Sequence, residues 1–155
     1  MVENEFPASE DRIERDTLID APVERVWPLV ATPGFWVAIP DDDEGGTAVE
    51  GGAAVARHAE HGEFPVRVVK VEAPSYIAYR WAPATPGQEP AEGNSTLVEF
   101  TLSAEGDKTR LTVVESGFAA LAVPDDVRAQ TVRNLTEGWP QVLDAAKKHV
   151  EESTG

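Results

Sequence analysis

The chain has 155 residues, 41% of them hydrophobic and 26% charged, which suits one domain built around one core. A formal net charge of −15 and a pI of 4.4, with no Lys/Arg cluster, exclude nucleic acid as an expected partner. There is no cysteine for a disulfide or a thiol nucleophile, and no apolar run approaches the roughly 18 residues of a membrane span.

The start, MVENEFPASEDRIERD, is acidic and lacks the basic and apolar segments of a signal peptide, so a cytoplasmic protein that does not engage a membrane is expected. Residues 1–10 read as a flexible arm, 11–151 as one domain and 152–155 as a tail. The acidic surface serves solubility, or docking of a basic protein partner.

Residues 12–20, RIERDTLID, read as a strand whose alternation blurs near Thr17. The next run, DAPVERVWPLVATPGFWVAIP, predicts a short helix with Asp20 as N-cap and Pro22 near its first position. Val23, Val26, Trp27 and Val30 fall on one face. Pro28 should bend that helix, and a second short helix or turn over 34–39 presents Phe35, Trp36 and Ile39. The acidic turn PDDDEGG has contiguous acids rather than the alternate ligands of a calcium loop, so no metal is expected there.

Strand signals then alternate with turns over 47–50, 53–59, 64–73, 75–82, 95–104 and 109–118, as in an antiparallel meander. In 64–71 the apolar phase slips from even to odd positions, and a β-bulge near Val68 and Val69 would reconcile the two sets. The loop over 83–94 has three prolines and two glycines, a length and composition common in mobile or functional loops. A long helix follows from Asp125 to about Glu151. Gly138 and Pro140 flank Trp139 inside it, yet Leu135, Trp139, Val142 and Ala146 keep one face across the interruption. That periodicity favours a bent continuous helix over two helices divided at Gly138, with Gly138 allowing close backbone approach.

The order and motifs resemble the SRPBCC superfamily, which shares the helix-grip fold of START domains and the birch pollen allergen. Within it, the branch named after the C-terminal domain of the activator of heat-shock-protein-90 ATPase is most similar. The resemblance rests on IDAPVERVWPLVATP (19–33), VEAPSYIAYRW (71–81), STLVEFTL, TRLTVVESGF and NLTEGWPQVLDAAKKH, and spans about residues 11–151. It implies an α+β fold: a curved antiparallel sheet of six or seven strands around the C-terminal helix, two short helices after the first strand, and an apolar cavity between sheet and helix.

The inward faces of the strands and helix supply a candidate ligand-binding lining: Trp36, Tyr79, Trp81, Val98, Phe100, Leu111, Val113, Trp139 and Leu143. The same residues would equally fill a solid core. Glu115 shares parity with Leu111 and Val113; strict alternation points it inward, as a ligand contact or an acid or base with a raised pKa. Alternatively the strand ends before it and it is solvated or pairs with Arg80. His58 and His61 form H-A-E-H at a hairpin end, where a spacing of three puts them on opposite faces, unlike a zinc helix pair. His149 sits near the last helical turn. No Walker loop, dinucleotide fingerprint or serine-nucleophile motif occurs, so no cofactor is expected and no catalytic residue beyond Glu115 is a candidate. The expected function is binding of a small hydrophobic or aromatic molecule, ahead of a regulatory module for a chaperone-type ATPase and of a cyclase- or lyase-like enzyme.

Overall fold

The computed structural model describes residues 12–37, 49–58, 62–85, 87–91 and 93–152, with the side chains of residues 57 and 58 left aside. Its elements are β1 (Arg12–Ile19), α1 (Val23–Val30), β2 (Ala53–His58), β3 (Gly62–Glu72), β4 (Tyr76–Trp81), β5 (Thr96–Glu105), β6 (Lys108–Ser116), a 3-10 turn (Phe118–Ala120) and α2 (Asp125–Glu152). The six strands form one curved antiparallel sheet in the order β1-β6-β5-β4-β3-β2, and α2 lies against it as the long helix of a helix-grip fold.

Alternation decides which face is buried. Ile77, Tyr79 and Trp81 of β4, Val98, Phe100 and Leu102 of β5, and Leu111 and Val113 of β6 all point to the core. In β3 the register breaks between Val68 and Lys70, so Val69 is turned out at 44% exposure. Phe64, Val66 and Val68 stay buried and Val71 packs partly against the core, as the phase slip in the sequence requires.

Several expectations shift. Pro22, not Asp20, occupies the N-cap of α1 and makes no side-chain capping bond. Its fixed φ, here −72°, suits that entry. The backbone N–H of Asp20 instead donates to Glu151 Oε2 at 2.8 Å. Residues 31–37 form successive turns rather than a second helix, with Phe35 N–H donating to Thr32 O and Val37 N–H to Gly34 O. Residues 49–52 form a turn, not a strand: Gly52 N–H closes on Val49 O while Gly51 N–H donates to Val68 O. Strand ends elsewhere move by one or two residues. The N-terminal arm, the acidic run 40–46, Ile39, residues 47 and 48, His61 and the tail residues 153–155 lie outside the described residues.

The helix α2 runs unbroken through Gly138 and Pro140. Its buried positions Thr131, Trp139, Leu143, Ala146 and Val150 face the core, with Val132, Leu135 and Val142 partly buried beside them. The C-terminal end is tied to the opening of the chain. Lys147 Nζ donates to Leu18 O at 2.9 Å, Arg25 Nη2 to Val150 O at 2.9 Å, and Glu151 accepts from Asp20.

Candidate functional site

Between the sheet, the turn after α1 and the middle of α2 lies a pocket of about 270 Å³. Trp36, Val37, Phe64, Trp81, Leu135, Gly138, Trp139 and Val142 line it. Each wall has a local cause. Strand alternation turns Phe64 of β3 and Trp81 of β4 to the same face, with ring centroids 5.3 Å apart. The turn after α1 delivers Trp36. It needs Gly34 at φ +81°, where a Cβ would lie 2.4 Å from the Ala56 Cβ, so only glycine lets the turn seat on β2. Trp36 then meets Trp81 edge-on at 5.5 Å, Tyr79 at 5.1 Å and Trp139 at 6.2 Å. Leu135, Trp139 and Val142 come from one face of α2.

Gly138 behaves differently from the close-approach role the sequence suggests. A Cβ there would meet nothing within 4 Å, so no neighbour demands glycine. The missing side chain leaves space where the helix borders the pocket.

Behind two of the indoles sits Glu115. The strand β6 carries on through it, the side chain is fully buried, and it is neither solvated nor paired with the exposed Arg80. Register explains its company. Trp81 is opposite Thr96, and Val98 is opposite Glu115, so Trp81, Thr96 and Glu115 share one face across three adjacent strands. Glu115 Oε2 accepts from Trp81 Nε1 at 2.8 Å and from Thr96 Oγ1 at 2.6 Å, and Oε1 accepts from Trp139 Nε1 at 2.7 Å. Burial pushes its pKa above the ordinary carboxyl range, and the hydrogen bonds from Thr96, Trp81 and Trp139 offset part of that rise.

Of the residues singled out from sequence, Trp36, Trp81 and Trp139 line the pocket together. Tyr79, Val98, Phe100, Leu111, Val113 and Leu143 sit in the packed core and are not part of its lining. The Tyr79 hydroxyl donates to Val30 O at 2.6 Å, and burial raises its pKa. Sequence reasoning missed Val37, Phe64, Leu135, Gly138 and Val142 as lining and Thr96 as a partner of Glu115. The signals were present: Leu135 and Val142 stand four before and three after Trp139, and Thr96 shares parity with Val98. Among the described residues no group of three or more His, Cys, Asp or Glu is placed to hold a metal ion.

A curved antiparallel sheet gripping a long C-terminal helix, with an apolar pocket between them, defines a helix-grip protein of the SRPBCC type. Residues 20–151 match the family described as Activator of Hsp90 ATPase homolog 1-like protein, and the chain belongs to that family. Solved structures with the same fold are similar at low identity. DynU16, from the dynemicin biosynthetic locus, is 22% identical with a TM-score of 0.65; 91% of this chain is covered and 47% of that one, so this chain spans about half its length. A protein from Mesorhizobium loti is 21% identical with a TM-score of 0.69, covering 93% of this chain and 98% of that one. The Aha1 dimer protein of Colwellia psychrerythraea is 18% identical with a TM-score of 0.67, covering 93% and 98%. No curated protein matches. Among the described residues, no helix is long and apolar enough to cross a membrane.

Proposed function

We propose that the protein binds a small hydrophobic or aromatic molecule in the pocket between the sheet and α2. The observation that carries the reading is the pocket itself, walled by three indoles, one phenyl ring and aliphatic side chains. Such a lining favours apolar and aromatic ligands by burial and ring packing. A glycine in a helix interior costs about 1 kcal/mol relative to alanine. At residue 138 no crowding requires it, so the empty space it leaves in the pocket is its evident return.

The test is thermal unfolding with a panel of two- and three-ring aromatic compounds, on the natural chain and on Gly138→Leu. A ligand at a hundredfold its Kd should raise the Tm of the natural chain by about 5–10 °C. Gly138→Leu should fold and lose the response, because its side chain fills the pocket. No shift with any compound, or an equal shift in the variant, overturns the proposal.

Membership of the family supports a second reading, a regulatory contact with a chaperone-type ATPase. Purified Hsp90 whose ATP turnover is unchanged by an excess of this protein would remove it.

A further inference from the structure

The wall of the pocket that belongs to α2 has a shape of its own. Leu135, Gly138 and Val142 line it at spacings of three and four, so they follow one another along one face of a continuous helix. All three are half-buried, whereas Trp139 beside them is only 1% exposed. On the helix, then, a ligand meets these three residues and little of the indole. A Cβ at residue 138 would meet nothing within 4 Å. The middle of this face is therefore a notch, floored by the Gly138 backbone and closed by Leu135 at one end and Val142 at the other.

Its width follows from the helix. Leu135 and Val142 stand two turns apart, about 10 Å along the axis at about 1.5 Å per residue. An aromatic ring taken across its short axis, with a carbon contact of about 4 Å at each side, fills about that distance. The long axis of two fused rings does not fit between the same walls, so such a molecule lies across α2 rather than along it. Volume sets the ring count. An apolar cavity of about 150 Å³ holds benzene, and the present 270 Å³ suits two fused rings.

We propose that the notch over Gly138 selects flat, narrow two-ring aromatic molecules, held with their short axis between Leu135 and Val142, and that these two side chains reject broader isomers. This rests on the ligand-binding reading above and adds the shape of the ligand and the residues that read it.

The probes are 1-methylnaphthalene and 2-methylnaphthalene, isomers of nearly equal apolar area. The methyl group of the 1-isomer points along the short axis and widens the molecule, while that of the 2-isomer mostly lengthens it. Dissociation constants are measured by nuclear magnetic resonance titration of the natural chain, Leu135→Ala, Val142→Ala and Gly138→Ala, each labelled with nitrogen-15. The natural chain should bind the 2-isomer about tenfold tighter, because a surplus carbon in a filled site is costly. In Leu135→Ala or Val142→Ala the preference should shrink because the 1-isomer binds more tightly than before. That gain is not one a damaged fold would give. Gly138→Ala raises the floor of the notch by one carbon and should weaken both isomers about tenfold.

Equal binding of the two isomers by the natural chain, or tighter binding of the 1-isomer, overturns the shape assignment and leaves ligand binding standing. A preference unchanged in both Leu135→Ala and Val142→Ala, or unweakened binding by Gly138→Ala, overturns the notch as its source. Failure of both probes to bind overturns this inference, and failure of the whole aromatic panel overturns the binding reading beneath it.

Discussion

At the scale of single residues, Glu115 is the group whose chemistry is most constrained. Its two oxygens take three donors, from Trp81, Thr96 and Trp139, without lining the pocket itself. Its bearing on the pocket therefore runs through the two indoles it holds, which makes it a positioning residue under the proposed binding role. Glu115→Gln replaces one acceptor oxygen with an NH₂ that must face an N–H or O–H donor, a loss of about 1–3 kcal/mol in urea unfolding. The pH dependence has a definite sign. Burial raises the folded-state pKa, so the native protein holds this proton to higher pH than the unfolded chain. The associated stability is complete below the unfolded value, about 4.3, and is lost as pH rises through the folded one. The stability gap between the natural chain and Glu115→Gln should accordingly narrow from pH 5 to pH 9; a widening gap in urea midpoints would contradict the burial argument. Parity along β6 made the inward direction of Glu115 legible in the sequence. Its partners were not, because register brings Thr96 beside it and the fold brings Trp139 from 24 residues away.

At the scale of elements, α2 concentrates the conflict between local preference and tertiary need. Pro140 has no N–H to give Thr136 O, yet the helix passes through it and its ring is exposed. Meanwhile the Thr136 hydroxyl donates to Val132 O at 2.7 Å. Pro140→Ala would restore a backbone donor at a solvent-facing position. It should raise stability by about 1–3 kcal/mol, the helix-interior cost of proline less its benefit to the unfolded chain. A calorimetric Tm at or below that of the natural chain would show that the proline supports the helix instead. The apolar stripe made this continuity readable, because a stripe that holds phase across a proline means one helix axis. The bulge in β3 was readable for the same reason, as a change of phase in the apolar positions. Turn residues were less legible. The segment after α1 has helix-like apolar spacing, but Gly34 at positive φ breaks it into turns. Asp20 looked like a cap because capping residue types are shared with loops, and here its backbone N–H serves a distant carboxylate.

For the molecule as a whole, 28 acidic against 13 basic side chains leave a net charge of −15, whose self-repulsion opposes the compact state. The exposed pairs that offset it, such as Arg110 with Asp16 and Glu105, contribute little. Screening should therefore help more than it harms. Raising monovalent salt from 0.01 to 0.1 M shortens the Debye length from about 30 Å to about 10 Å. The Tm should climb across that range, and a falling Tm would mean that attractive pairs dominate. The helix-grip architecture was legible in the sequence because element order and inward faces are set by periodicity. The open pocket was not. Tyr79, Phe100 and Trp36 carry the same inward signal, yet two lie in solid packing and one borders a space. That difference depends on how the volumes of several elements add up, which no single segment records.

The placement of the tryptophans has an optical consequence. Three of the four, Trp36, Trp81 and Trp139, wall the pocket, while Trp27 stands apart on α1. Most of the chain's intrinsic emission therefore originates where a ligand would sit. Replacing Trp27 alone would leave every remaining tryptophan at that surface, so occupancy is readable from unlabelled protein by quenching or energy transfer.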